Sequence, residues 1–201
     1  MRAPILMSLL LLFMVPREAF SASCCHAAPV DEQMHAEDSI YNLTTTWTNQ
    51  LGDEVPLATL KGKPRLITMF FASCTYACPR IAADIIRLHG LLGPEERERV
   101  GVVMVSLDPE RDSPAALVEF VSRNHLGDIE PQMLTGSAGD VRSLAAMLGV
   151  RYRKEANGDI AHSSKLVLLD EEGVVVEVME GLGADPAPIV DALKSLCSGK
   201  P

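Results

Sequence analysis

Leu66-Ile-Thr-Met-Phe-Phe-Ala-Ser-Cys74-Thr-Tyr-Ala-Cys78-Pro79 joins an apolar segment to a segment with helical spacing, and its two cysteines lie at the junction. The apolar part predicts a buried strand, and Pro79 favours the first turn of a helix. A helix N-terminus presents unpaired N–H groups and the positive end of the helix dipole, which lower the pKa of a nearby thiol. Residues four apart share one helical face, so we expect both sulfurs to face one metal ion or one disulfide partner.

Strands and helices alternate along the rest of the chain. Apolar runs predict a hairpin around Gly52 and Asp53, then strands at 64–72, 100–107, 165–169 and 174–179. Helical spacing, an N-cap at Ser113 and Pro114 at a first helical position predict helices at 79–92, 113–124, 139–148 and 186–196. This pattern is typical of a mostly parallel sheet covered on both faces, and the C-terminal hairpin makes the sheet mixed. The predicted fold is α/β and thioredoxin-like, with a central mixed sheet flanked by helices.

Length and composition are those of one globular domain. The chain has 201 residues, of which 47% are hydrophobic and 22% charged. A net charge of −9 argues against nucleic acid and anionic membrane surfaces as partners. We expect the folded domain at residues 41–198, preceded by a flexible leader at 23–40 that lacks periodicity.

Residues 1–22 have the features of a signal peptide: a basic start, an eleven-residue apolar run to Val15 and a small-x-small cleavage site ending at Ser21. The apolar run is short for a bilayer span. We therefore expect export to the periplasm or an equivalent extracytoplasmic space, with an uncleaved membrane anchor or a lipid on Cys24 as the alternatives. In an oxidising compartment cysteines pair, bind metal or are kept reduced.

His162 is the third candidate site residue. It lies just before the predicted strand at 165–169, and loops at strand ends of an open sheet gather at one edge. Two thiolates and an imidazole suit Cu(I), and Cu(II) could use the same site with an added oxygen ligand. The residues alone leave open a metal site, a catalytic dithiol without metal and a structural disulfide, whose geometry is awkward at this spacing.

The chain resembles the Sco/SenC family, whose members are copper-binding, thioredoxin-fold proteins that help to assemble the copper A centre of cytochrome c oxidase. The resemblance covers roughly residues 40 to 195 and rests, in order, on Phe70-Phe-Ala-Ser-Cys74-Thr-Tyr-Ala-Cys78-Pro79, Val105-Ser-Leu-Asp108-Pro-Glu-Arg111-Asp112-Ser-Pro114 and His162. It implies that Cys74, Cys78 and His162 are copper ligands. It also implies the copper A subunit of the oxidase as a partner, with another copper chaperone or a thioredoxin-like reductase as a further one.

The function implied by the resemblance is that of a metallochaperone rather than an enzyme, which delivers copper to the copper A site or matures it. Reduced Cys74 and Cys78 would bind copper, and their disulfide would release it. The alternative is a thiol–disulfide oxidoreductase that reduces the copper A cysteines without bound metal, and a third class is a redox or copper sensor. Thr75 and Tyr76 replace the proline and acidic residue of many relatives, which bears on copper affinity and redox potential.

The other cysteines and the second motif carry less specific signals. Cys24, Cys25 and His26 lie on the predicted leader, where they could capture copper or be incidental. Cys197 is expected to be buried on the closing helix. In the motif that begins at Asp108, turn formation and helix capping are the simplest roles, and shaping the edge of the site is the alternative.

Overall fold

The structure is a computed structural model that describes residues 37–198. The predicted signal peptide at 1–22 and most of the predicted leader lie outside these residues. The described residues contain nine strands: β1 (Thr46–Asn49), β2 (Glu54–Pro56), β3 (Arg65–Phe70), β4 (Gly101–Ser106), β5 (Gln132–Thr135), β6 (Tyr152–Lys154), β7 (Ile160–His162), β8 (Lys165–Leu169) and β9 (Val175–Glu180). Five α-helices lie wholly within them: α1 (Ala77–Gly90), α2 (Pro94–Arg99), α3 (Pro114–Arg123), α4 (Ala138–Met147) and α5 (Ala187–Cys197).

Seven of these strands form one mixed sheet in the order β2-β1-β5-β4-β3-β8-β9. Strand β4 runs parallel to both β3 and β5, whereas β8 is antiparallel to β3 and to β9. Every residue of β3 and β4 after the first is buried, as expected for central strands that are covered on both faces. The predicted α/β fold, a mixed sheet flanked by helices, is confirmed. The prediction that the sheet is mostly parallel was wrong, because four of the six strand pairings in this sheet are antiparallel.

The predicted hairpin and capping signals also correspond to the structure. Strands β1 and β2 pair antiparallel across the turn that contains Gly52. The hydroxyl of Ser113 accepts a hydrogen bond from the N–H of Ala116 at the start of α3, and Pro114 occupies the first helical position. The rings of Phe70 on β3 and Phe120 on α3 pack with centroids 4.5 Å apart, which fixes this helix against the sheet.

Three parts of the fold are absent from the prediction, and the first is the short helix α2. Strand β5 is only four residues long and lies between Pro131 and Gly136, so its sequence has the punctuation of a loop. Strands β6 and β7 form a separate two-stranded sheet in which Tyr152 pairs with His162. The prediction that His162 lies in a loop was therefore wrong, since it is the last residue of a strand.

None of the helices in residues 37–198 is long and apolar enough to cross a bilayer.

Candidate metal centre

Cys74 lies in the short loop between β3 and α1, and its position is fixed by backbone hydrogen bonds. Its N–H donates to the carbonyl of Phe71 over 3.2 Å. The N-cap residue of α1, Tyr76, makes no capping hydrogen bond with its side chain. The N–H of Cys78 donates instead to Sγ of Cys74 over 3.3 Å. The sulfur of Cys74 thus occupies the place that a capping oxygen usually takes.

The expectation that both cysteines share one helical face was wrong. Only Cys78 is helical, because α1 begins at Ala77, and Cys74 precedes the N-cap by two residues. The sulfurs still meet, since the loop turns back and Cys78 makes a side-chain hydrogen bond to Cys74. The proximity that helical spacing predicted is therefore produced by a turn that caps the helix.

The two thiols are strongly different in acidity. The thiol of Cys78 donates to the sulfur of Cys74 and, with the N–H groups of Tyr76, Ala77 and Cys78, lowers the pKa of Cys74 to about 5 against the opposing effect of partial burial. Donation to Cys74 and burial raise the pKa of Cys78 far above the ordinary thiol range. Cys74 is therefore a partly exposed thiolate at neutral pH, whereas Cys78 is a buried thiol. Among residues 37–198 all cysteines are free thiols.

Cys74 opens onto a cleft of about 380 Å³. The loop from Ser73 to Tyr76 forms one wall, and Arg111 with the turn at 157–159 forms the other. Tyr76 is 70% exposed beside this cleft, and the guanidinium carbon of Arg80 lies 5.4 Å from the centre of its ring. A partner can therefore reach the thiolate from solvent, while Cys78 is closed off.

His162 is held next to the cysteine loop by Phe71. The two rings pack edge to face with centroids 5.9 Å apart. Nδ1 of His162 lies 3.1 Å from the carbonyl oxygen of Ser163, which assigns the proton to Nδ1 and leaves Nε2 with a free lone pair. Nε2 is buried and has no hydrogen-bond partner within the described residues. A buried acceptor without a donor is costly, and the lone pair of this nitrogen is unused within the described residues.

Phe71 connects the three predicted site residues. Its backbone N–H hydrogen-bonds the sulfur of Cys78, its carbonyl accepts from the N–H of Cys74, and its ring contacts His162. Within residues 37–198 the structure shows no group of three His, Cys, Asp or Glu side chains that could already hold a metal ion. The two cysteines contact each other directly, whereas His162 is separated from them by the ring of Phe71.

Asp112 supports the cysteine loop, a role that the sequence reading missed. Its carboxylate accepts from the hydroxyl of Ser106 over 2.6 Å and from the N–H of Ala72 over 2.9 Å, which joins the ends of β4 and β3. Burial raises the pKa of Asp112 against these hydrogen bonds. The sequence signal for such a link is a pair of polar residues, Ser106 at the end of β4 and Asp112 in the loop that follows. The signal is easily missed, because Asp112 is next to the N-cap Ser113 and capping explains it equally well.

The remaining cysteines lie elsewhere. Cys197 is the last residue of α5, and Arg99 donates a hydrogen bond to its carbonyl oxygen. It is partly exposed rather than buried as expected. Cys24, Cys25 and His26 lie outside the described residues.

A model of the SCO1/SenC family matches residues 34–198, so the chain belongs to this family. A proposed copper-binding protein of Stutzerimonas stutzeri is 33% identical over 119 residues. The matched part covers 57% of this chain and 57% of the length of that relative.

Solved structures are similar in fold as well. A SCO1/SenC family lipoprotein of Bacillus anthracis has a TM-score of 0.68 at 26% identity, covering 77% of this chain and 96% of that one. The BsSco protein, a member of the Sco family of cytochrome c oxidase assembly proteins with a disulfide switch, has a TM-score of 0.67 at 28% identity over 77% and 92%. Bradyrhizobium japonicum ScoI with copper bound has a TM-score of 0.59 at 26% identity over 76% and 96%.

Proposed function

We propose that this protein binds copper through Cys74, Cys78 and His162 and delivers it to the copper A site of cytochrome c oxidase, or matures that site. The observation that carries the proposal is the buried Nε2 of His162, which has no hydrogen-bond partner among residues 37–198. The ring of His162 packs against Phe71, whose backbone N–H bonds the sulfur of Cys78. Family membership supports it, since one relative is solved with copper and another is described as an oxidase assembly protein.

The donor set suits copper as a cargo. Sulfur is a soft ligand that selects Cu(I), and an imidazole nitrogen with a free lone pair is a common copper ligand. The partly exposed thiolate of Cys74 can make the first bond to an incoming ion. Cys78 must then lose its proton, so binding releases a proton and affinity should fall as the pH is lowered.

The redox state of the pair would control the cargo. In thiol–disulfide exchange with the disulfide of a partner, the thiolates of Cys74 and Cys78 lose two electrons and become a disulfide, while the partner's disulfide takes up the electrons and is reduced to a dithiol. This oxidation also removes both sulfur ligands, so copper is released. The disulfide switch of BsSco supports this interpretation.

The compartment we propose is extracytoplasmic. The predicted signal peptide at residues 1–22 supports export. The similarity to a lipoprotein of Bacillus anthracis supports the same side of the membrane and keeps a lipid anchor as an alternative.

The asymmetry of the thiols also suits a thiol–disulfide oxidoreductase, our second candidate. Such a protein needs one exposed nucleophilic thiolate, here Cys74, and one protected thiol that resolves the mixed disulfide, here Cys78. It has no use for an unpartnered imidazole nitrogen at His162, and for this reason we favour copper binding.

The test is titration of the reduced apo protein with Cu(I) against a competing chelator. The parent chain should carry serine at 24 and 25, so that leader thiols do not contribute. We expect the parent to bind one Cu(I) ion. His162→Ala should weaken the affinity, and His89→Ala, a control in the last turn of α1, should leave it unchanged. Absence of stoichiometric uptake by the parent would refute copper binding, and full rescue of oxidase assembly by His162→Ala would favour the oxidoreductase.

A further inference from the structure

The hairpin of β6 and β7, which carries His162, lies outside the main sheet and is tied to the domain by two basic side chains. Nη2 of Arg111 donates to the carbonyl of Gly158 in the hairpin turn over 2.5 Å. Nζ of Lys154 on β6 lies 2.8 Å from a carboxylate oxygen of Glu110. Arg111 and Glu110 belong to the loop after β4, so both contacts join the hairpin to the loop at the carboxyl end of this inner strand.

Asp108 is the shared partner of these two basic residues. Its side chain is 1% exposed, and it forms an ion pair with Nε of Arg111 and another with Nζ of Lys154, the latter at 3.6 Å. The hydroxyl of Ser106 accepts from its N–H over 2.9 Å, which fixes the backbone beneath it. A buried carboxylate is costly to leave unpaired. Because Lys154 lies on the hairpin and Arg111 also bonds its turn, the ion pairs of Asp108 favour the attached position of the hairpin.

The hairpin is continuous from this attachment to His162. Tyr152, Arg153 and Lys154 pair in register with His162, Ala161 and Ile160. Gly158 and His162 are four residues apart, about 13 Å along an extended strand. A two-stranded hairpin is at best marginally stable alone, so its orientation depends on its attachments: Arg111 at the turn, Phe71 at the His162 end, and the side chain of Ile160, which is buried in the hydrophobic core.

We propose that Asp108, Arg111 and Lys154 form a clasp that positions His162 for copper. Arg111 and Lys154 act through the hairpin, and they are positioning residues rather than ligands. Arg111 also lines the cleft to Cys74, so the same clasp sets the width of the path to the thiolate. The role of the clasp in copper binding rests on the proposed function.

Arg153 provides a matched control on the same hairpin. Its Nη2 lies 2.9 Å from Glu155, so its ion pair stays within the hairpin and does not reach the domain. Arg111→Gln, Lys154→Gln and Arg153→Gln each remove one positive charge. The clasp predicts that the first two have effects which the third lacks.

The first measurement is hydrogen exchange of the reduced, copper-free chain. The N–H groups of Glu155 and Gly158 close the hairpin turn and report its opening. In Arg111→Gln and Lys154→Gln their exchange should accelerate about two- to fivefold, the effect of losing a partly exposed ion pair. Core amides of β3 and β4 should exchange as in the parent. Unchanged hairpin exchange in Arg111→Gln would show that there is no clasp.

The second measurement is a double-mutant cycle on Cu(I) affinity, in the parent with serine at 24 and 25. Arg111→Gln should weaken binding about two- to fivefold, because the loss is limited to what this partly exposed ion pair contributes to holding the hairpin in place. In a His162→Ala background, Arg111→Gln should not weaken Cu(I) binding further. Arg153→Gln should leave the affinity unchanged in both backgrounds. A residue that merely stabilised the domain would weaken binding equally in the two backgrounds.

The outcomes separate the clasp from the proposed function. Uptake of Cu(I) by the parent, with unchanged affinity in Arg111→Gln or with equal losses in both backgrounds, overturns the clasp alone. Absence of uptake by the parent refutes the proposed function, and with it any copper role of the clasp, even if the exchange data show that the hairpin is held. A loss of Cu(I) affinity in Arg111→Gln that occurs only when His162 is present supports both the clasp and the proposed function.

Discussion

The cysteine loop and the β6–β7 hairpin bring candidate ligands to the same residue, Phe71, by different means. Cys74 and Cys78 are held by backbone groups, the N–H donors at the start of α1 and the end of β3. His162 is held by side chains, a ring contact at one end of the hairpin and the clasp at the other. The sulfur half of the site is therefore part of the central fold, whereas the imidazole half is attached to it and can be adjusted separately.

The largest effect should come from the cysteine loop. Replacing Cys74 by Ser removes the thiolate that starts copper binding and should abolish stoichiometric Cu(I) uptake in the chelator competition. Exchange of the hairpin amides should stay as in the parent, because the clasp does not involve Cys74. Accelerated hairpin exchange in Cys74→Ser would show that the two regions are not separate.

The next effect is a difference in reactivity between the two thiols. The pKa of Cys74 is lowered to about 5, so its thiolate forms, and its alkylation accelerates, as pH rises through about 5, where an ordinary thiol with a pKa of 9.0 is still protonated. Buried Cys78 should be alkylated far more slowly than Cys74 at every pH at which the protein is folded. Peptide-resolved mass spectrometry after brief iodoacetamide exposure measures both rates.

Two variants at Cys78 show whether its thiol is the cause. Cys78→Ser keeps an O–H donor, and the alkylation midpoint of Cys74 should stay acidic. Cys78→Ala removes the donor that contributes most to lowering the pKa, and the midpoint should move towards neutral pH. Equal midpoints in the two variants would assign the acidity to the helix N-terminus alone.

The smallest effect is on stability. Asp112→Ala leaves the N–H of Ala72 and the hydroxyl of Ser106 without their buried acceptor and should lower the free energy of unfolding by on the order of 1–3 kcal/mol. Arg111→Gln should lower it by less than about 1 kcal/mol, because Arg111 is partly exposed. Urea unfolding of both variants provides the comparison. Equal losses would mean that the hairpin is as much a part of the cooperative core as the cysteine loop.

The central fold could be predicted from the sequence because its signals are local. The apolar runs of β3 and β4, the N-cap at Ser113 and the proline that follows it each specify an element within a few residues. Strand β5 could not be predicted, since four residues beside Pro131 and Gly136 form a strand only because β4 and β1 supply partners on both sides.

The candidate site divides in the same way. Cys74 and Cys78 were identified by their place between a strand and a helix, although the reason that their sulfurs meet is a capping turn rather than a shared helical face. The hairpin of His162 carried no strand signal, because Tyr152, Arg153 and Lys154 have the composition of a surface loop. The contacts of Asp108 and Asp112 link residues from separate elements, which the sequence does not show. From the sequence, turn formation is the simplest role of Asp108 and helix capping that of Asp112, with shaping the edge of the site as the alternative.

X-ray absorption of the Cu(I)-loaded chain, with serine at 24 and 25, tests the copper site most directly. The account predicts two sulfur ligands and one imidazole nitrogen in the parent. In His162→Ala the imidazole scattering should disappear while both sulfurs remain. A spectrum with sulfur ligands alone in the parent, or imidazole scattering that survives in His162→Ala, would contradict the assignment of Cys74, Cys78 and His162 as the copper ligands.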